Sequence, residues 1–313
     1  MPSSVLTARQ YKALLTTLMA SLAGYLAFSL WSGWEAVTNA LAAVGFLGVL
    51  LALLMSLVNY GLRFIRWQGY LQAQGHMVAW QPSLRIYLAG FALTTTPGKA
   101  GEAIRGLLLK PLGVPWSHSL AAFFSERLSD LLAIVILSLF GLSLYPQLHG
   151  VLWIGAIGVL AGLVILAQHR LVKWLQDFFK RRTGKLCQFL VHLLAIVEQA
   201  QHCHRWRQLM SASVLSLVAW GAEALAFYWI LGWIGVETEL QFAFFVYGIA
   251  MLAGALSFMP GGLGGAEAVM VGLLMWQGMP MPDAAAATVL IRLSTLWFAV
   301  LLGGVAISKS TLH

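Results

Sequence analysis

The chain has 313 residues, of which 60% are hydrophobic and 10% charged, and its formal net charge is +8. A mean hydropathy of +0.81 over that length excludes soluble enzymes and nucleic-acid-binding modules, and leaves an all-α polytopic membrane protein, a single integral membrane domain over 1–313. The two cysteines, Cys187 and Cys203, both fall in the most basic stretch, so no structural disulfide is expected.

Apolar runs of the roughly 20 residues that one crossing needs fall near 13–31, 40–62, 119–144, 151–168, 208–233 and 284–307. The first follows Arg9 and Lys12; it is too long for a cleaved signal and has no Ala-x-Ala site, so it is expected to remain as an anchor. Two further apolar segments, 83–110 and 240–278, are broken by Pro-Gly. Between the halves, 170–206 is amphipathic. Leu171, Trp174, Leu175 and Phe178 recur at helical spacing, then Leu186, Phe189, Leu190, Leu193 and Val197, with Lys173, Lys180, Arg181, Arg182 and Lys185 around them. This stretch predicts interfacial helices that meet anionic lipids of the inner leaflet, where each basic residue contributes about 1 kcal/mol. Trp31, Trp34, Trp80, Trp116 and Trp153 mark span ends, as an aromatic belt does.

Charge sets the topology. Arg9 and Lys12 precede the first span, Arg63 and Arg66 follow the second, eight cations lie between Arg170 and Arg207, and Lys309 closes the chain. The stretches 32–39, 145–150 and 234–239 contain no Lys or Arg. The positive-inside rule then places both termini in the cytoplasm, with the protein in the cytoplasmic (inner) membrane. Counting the two broken segments as full spans would put basic stretches outside. They are therefore predicted to be re-entrant hairpins, one from each face, which makes six full spans and two hairpins in an inverted-topology repeat.

The halves repeat a motif. Pro97-Gly98-Lys99-Ala100-Gly101-Glu102-Ala103 returns as Pro260-Gly261-Gly262-Leu263-Gly264-Gly265-Ala266-Glu267-Ala268. Glu102 precedes Arg127 by 25 residues, and Glu267 precedes Arg292 by the same 25; both arginines open an Arg-Leu-Ser triplet. Gly113 and Pro115 align with Gly278 and Pro280. Repeat one covers about 83–144 and repeat two about 240–307.

Glu126, Arg127 and Asp130 sit inside one span, and Glu223 and Arg292 inside two others. A charge at a helix centre costs roughly 2.5–3.5 kcal/mol on insertion scales, so each needs a partner or water. Glu126 and Asp130, one turn apart, need a cation between them or a proton on one; Arg127 and Arg292 are candidate partners. The competing reading is that these charges only lock helices together. Their repetition at fixed spacing favours use, because buried ion pairs stabilise poorly compared with apolar packing.

Pro-Gly opens a new helix and leaves N–H groups at its end, which attract anions. The backbone at Gly98, Gly101, Gly261, Gly262 and Gly264, with Lys99, Arg105, Arg127 and Arg292, is thus expected to bind a phosphate, and Glu102 and Glu267 to orient the arginines. The alternative for the glycines is close helix packing. No nucleotide-binding loop, Ser-His-Asp set or His-Glu-x-x-His occurs, and His202-Cys203-His204 with Cys187 and His192 fits no usual zinc spacing. No metal or other cofactor is expected.

Arg63-Phe64-Ile65-Arg66-Trp67, the Pro97–Arg105 stretch, Glu126-Arg127-Leu128-Ser129-Asp130, and Pro260–Glu267 through Arg292 resemble the transmembrane domain of lysylphosphatidylglycerol synthases and their free-standing, flippase-like relatives. The resemblance covers roughly 40–307. It implies movement of lipids between leaflets, with substrates in stand-alone relatives that include phospholipids, polyprenyl-phosphate carriers, glycolipids and hopanoid-pathway lipids. No aminoacyltransferase domain is expected after His313, so lysyl-lipid synthesis is not. Lys99 departs from the family pattern and adds a positive charge.

The reading is a lipid translocase for a phosphate-bearing lipid, bound by Lys99, Glu102, Arg105, Glu126, Arg127, Asp130, Glu267 and Arg292. Two alternatives remain. One is a membrane-embedded enzyme acting on a lipid phosphate, with Glu126 and Asp130 as acid and base or metal ligands. The other is a scaffold that holds a lipid-modifying enzyme through 170–206. Partners left open are a second copy and a lipid-biosynthesis enzyme; nucleic acid is not one.

Overall fold

Backbone groups inside a bilayer must find their partners within the protein, which a helix supplies within its own segment, and every element among the described residues is helical. The computed structural model describes residues 16, 23–25, 34–96, 100–141, 150, 157–158, 169–180, 184–203, 206–257, 259 and 262–310. The expected spans 13–31 and 151–168 fall largely outside these residues, and Gly98, Lys99 and Gly261 wholly outside.

Helix α1 (Trp34–Ala73) is irregular at Gly45, where φ is 65°. Its outward stripe, Phe46, Leu50, Leu54, Leu57 and Ile65, is exposed and apolar, the face a helix turns to lipid. Its end uses Gly75 (φ 84°), with the His76 N–H donating to the Leu71 carbonyl at 2.9 Å. After a short link comes α2 (Trp80–Phe91). The chain breaks there and resumes as a 3-10 turn (Ala100–Ile104) and α3 (Arg105–Leu109). Gly113, in the left-handed region, and Pro115 lead into α4 (Trp116–Phe140).

Two helices, α5 (His169–Lys180) and α6 (Lys185–His202), pack on each other between the halves. The second half then repeats the local geometry of the first. Helix α7 (Trp206–Trp233) ends at Gly235 (φ 86°), with the Val236 N–H donating to Leu231 at 2.9 Å. Helix α8 (Leu240–Leu256) is followed by a break and α9 (Gly265–Trp276). Gly278 (φ 96°) and Pro280 then precede α10 (Met281–Arg292). A π-helical turn (Leu293–Trp297) connects α10 to α11 (Phe298–Ser310).

The halves interlock crosswise: α1 packs along α7, α8 of the second half on α4 of the first, and α11 of the second half on α2 of the first. Glycines permit these crossings. A Cβ on Gly248 of α8 would lie 2.5 Å from Ser138 Oγ of α4, and one on Gly303 of α11 would fall on the backbone of Phe91 and Ala92.

Among the described residues, three helical stretches are long and apolar enough to cross a membrane: Trp34–Ala73, Trp206–Trp233 and Met281–Ser308. Helix α4 has 25 residues, but its centre carries Glu126, Arg127 and Asp130. The chain is a multi-pass membrane protein. One expectation needs correcting: Arg63 and Arg66 do not follow a span that stops at 62. They lie inside α1, at 5% and 2% exposure, because their partners are buried carboxylates rather than cytoplasmic water.

Candidate functional site

Helix α1 turns a polar stripe inward. Ser56, Asn59, Tyr60, Arg63, Arg66 and Tyr70 recur three or four residues apart and are all buried. Opposite them, α4 presents Glu126 and Asp130 on one face. Arg66 lies between these two carboxylates, with Nη1 2.7 Å from Asp130 Oδ1 and Nη2 3.7 Å from Glu126 Oε1. It is the cation that a like-charge pair one turn apart requires. Arg66 also donates to Ser216 Oγ on α7.

The contacts close a ring of alternating charge. Arg105 reaches Glu126 at 2.9 Å and Glu102 at 2.8 Å; Arg127 reaches Glu102 at 3.5 Å and Asp130 at 3.2 Å. Three guanidinium groups thus alternate with three carboxylates. Arg63 adds a fourth cation from outside the ring, 3.5 Å from Asp130. Asp130 also accepts from Trp220 Nε1 at 3.0 Å, and Glu102 from Thr94 Oγ1 at 3.1 Å. Arg105 lies 4.8 Å from the Tyr87 ring centre, and Arg63 5.5 Å from that of Trp220, so aromatic faces cover part of the charge. Arg127 keeps 20% of its side chain exposed, the most of the ring's arginines.

In the second half, Glu267 in the first turn of α9 accepts from Arg292 Nε at 2.6 Å and from the Gly264 N–H at 2.7 Å. It does two tasks, pairing the arginine and capping its own helix. The pairs Glu102–Arg127 and Glu267–Arg292 are the sequence repeat realised in space. Arg292, a candidate partner for Glu126 or Asp130, bonds within its own half instead.

The glycine donors point inward. The Gly101 N–H donates to Thr96 Oγ1 at 2.6 Å, that of Gly262 to the Met259 carbonyl at 2.9 Å, and that of Gly264 to Glu267. In this conformation the chain itself occupies these helix-end donors.

The halves meet at a small polar cavity. Arg63, Thr94 and Glu102 line it from one side, Glu223, Tyr247 and Arg292 from the other. Tyr247 donates to Glu223 at 2.5 Å. The free space is about 40 Å³, room for a few waters and too little for a phosphate headgroup. The π-helical turn just past Arg292 contributes Thr295 and Leu296 to the wall, and π turns often mark functional positions. Tyr60 donates to the Thr295 carbonyl, tying α1 to that turn.

Of the candidate residues, Glu102, Arg105, Glu126, Arg127 and Asp130 come together in the ring, Glu267 and Arg292 form the second pair, and Glu102 and Arg292 face one cavity. Arg63, Arg66 and Glu223 belong with them. The i, i+3, i+4 polar stripe of α1 was the signal for the first two; Glu223 was visible as a charge at membrane depth.

Residues 14–303 match the family described as the lysylphosphatidylglycerol synthase TM region. A UPF0104 membrane protein of Pyrococcus horikoshii is 22% identical over 314 residues, covering 90% of this chain and 92% of its own length. A UPF0104 membrane protein of Methanothermobacter thermautotrophicus is 26% identical over 303 residues, covering 90% and 88%. A second from the same organism is 25% identical over 287 residues, covering 83% and 84%. With the family match spanning nearly the whole chain, the protein belongs to the lysylphosphatidylglycerol synthase transmembrane-region family.

Proposed function

We propose that the protein is a lipid translocase that moves a phosphate-bearing lipid, such as a phospholipid, a polyprenyl phosphate or a glycolipid, between leaflets of the inner membrane. The observation that carries the reading is the polar cavity at which Arg63 and Glu102 of one half meet Glu223 and Arg292 of the other. Charges at membrane depth mark substrate pathways, and transporter sites form where repeats meet.

In the conformation described the cavity, at about 40 Å³, is too small for a headgroup, so a headgroup enters only when the halves separate. Arg292 and the partly exposed Arg127 are the first guanidinium groups to offer bidentate bonds to a phosphate, with Arg105 as a further donor; Lys99, outside the described residues, is a sequence candidate for the same role. The carboxylates hold the arginines in place between substrates. Hydrocarbon tails stay in the bilayer. The two broken segments act as re-entrant hairpins from opposite faces, both termini lie in the cytoplasm, and rocking of one half against the other alternates access. Helices α5 and α6 rest on the inner leaflet, where the exposed Lys173 and Trp174 meet anionic headgroups and the interfacial layer.

The test is headgroup accessibility of fluorescent phospholipid and polyprenyl-phosphate analogues in proteoliposomes, for wild type, Arg127→Ala and Arg292→Ala, each with and without a chelator. Arginine-dependent, chelator-insensitive equilibration of one lipid class is expected. A lipid chemically altered in a metal-dependent way would replace this reading with the enzyme. Movement unchanged in both variants would sink the arginine site.

A further inference from the structure

An apolar groove of about 630 Å³ lies between the second half and Gly24 and Tyr25 of the N-terminal segment, within the roughly 300–1,000 Å³ range of small-molecule sites. Its floor is α9. Gly264, Ala268 and Gly272, four residues apart, keep one face of the helix low, while Met259, Met275 and Met281 border it. These three methionines are 44–46% exposed, and their unbranched side chains adapt to a flexible occupant. The charged side chain in the lining is Glu267. Its partner Arg292, 2.6 Å away, lines the polar cavity. The ion pair is therefore the partition between an apolar groove and a polar chamber.

The groove has the length of one leaflet. From Gly264 to Met275 the helix rises about 16 Å at 1.5 Å per residue, and half of a hydrocarbon core of roughly 30 Å is about 15 Å. Lipid tails are as apolar as the groove, so no hydrophobic drive favours entry; shape admits a chain, and the charge at the end selects what it is attached to.

We infer that this groove holds one hydrocarbon chain of an anionic lipid, whose headgroup competes with Glu267 for Arg292. When Arg292 turns to the headgroup, Glu267 retains the Gly264 N–H, so the carboxylate is not left without a donor. The chain site stands on the groove; its coupling to movement between leaflets rests on the translocase reading.

The test uses the full chain in nanodiscs with two probes in separate arms, a phosphatidylglycerol and a polyprenyl phosphate, each with a diazirine in the chain, and peptide mapping after illumination. Label is expected on α9 and at Met281 above the level on the lipid-facing stripe of α1, and the arm that gives it identifies the lipid class. A Cβ at Gly272 meets open space, so Gly272→Phe should fill the groove and abolish the α9 label, while Gly272→Ala keeps it. Labelling of α9 equal to α1 in both arms, or unchanged by Gly272→Phe, overturns the proposal. Leaflet equilibration measured on the same samples separates the two claims: label without movement rejects the translocase and keeps the groove, and movement without label does the reverse.

Discussion

The same Glu–Arg pair occupies two settings. In the first half, Glu102–Arg127 at 3.5 Å is one edge of a ring in which every guanidinium meets two carboxylates. In the second half, Glu267–Arg292 at 2.6 Å lies at the border of a polar cavity and an apolar groove. A ring resists the loss of any one contact, because each member keeps another partner. A border pair separates when a competing anion reaches the arginine. The motif thus stands once in a ring and once as a single pair, with the cavity between them; on the proposed reading the pair is the copy that a competing anion displaces.

The largest effect should come from breaking the ring. Asp130→Asn removes the carboxylate facing Arg63, Arg66 and Arg127, leaving four guanidinium groups against two carboxylates. A loss of about 3–5 kcal/mol is expected, read as a fall in the thermal midpoint and in the yield of monodisperse protein. An unchanged midpoint would mean that the ring is not what fixes α1 to α4. Next is the crossing of the halves. Gly303→Val drives side-chain atoms into the backbone of α2 and should cost about 1–3 kcal/mol, whereas Gly272→Ala, facing open space, should leave the midpoint in place. Equal effects would remove the claim that α11 and α2 are closely interlocked.

Arg292→Gln should cost less stability than Asp130→Asn, about 2–3 kcal/mol, because one buried carboxylate loses its cation but keeps its cap bond and the new amide can still donate to it. The smallest effect concerns Cys203, a free buried thiol beside Gln74. Burial pushes its pKa up to about 11, so near pH 8 the nucleophilic thiolate is scarce. In a Cys187→Ser background, maleimide should label it only after denaturation; rapid labelling of folded protein would show that the packing at the end of α1 opens.

The sequence carried the helix class, the two breaks and the paired motifs, because apolar run length and Pro-Gly are local signals. The Gly75 and Gly235 turns have equally local causes. Arg63 and Arg66 were misplaced because a cation at the end of an apolar run resembles a loop charge; only the stripe from Ser56 to Tyr70 shows that the helix continues and turns them inward. The ring itself was not legible. Arg66 and Asp130 are 64 residues apart, and no spacing rule states which of four arginines lies between Glu126 and Asp130. The occupation of the glycine N–H groups was hidden for a similar reason: Thr96 and Glu267 reach back to them only once the breaks are folded.

The most direct test of the contrast is leaflet equilibration of a headgroup-labelled lipid by Arg292→Gln, with the thermal midpoint measured on the same preparation. The account predicts a rate equal to that of protein-free liposomes with only a modest drop in midpoint. A rate equal to wild type, or a loss of rate that merely follows a collapse in midpoint as large as that of Asp130→Asn, would contradict it.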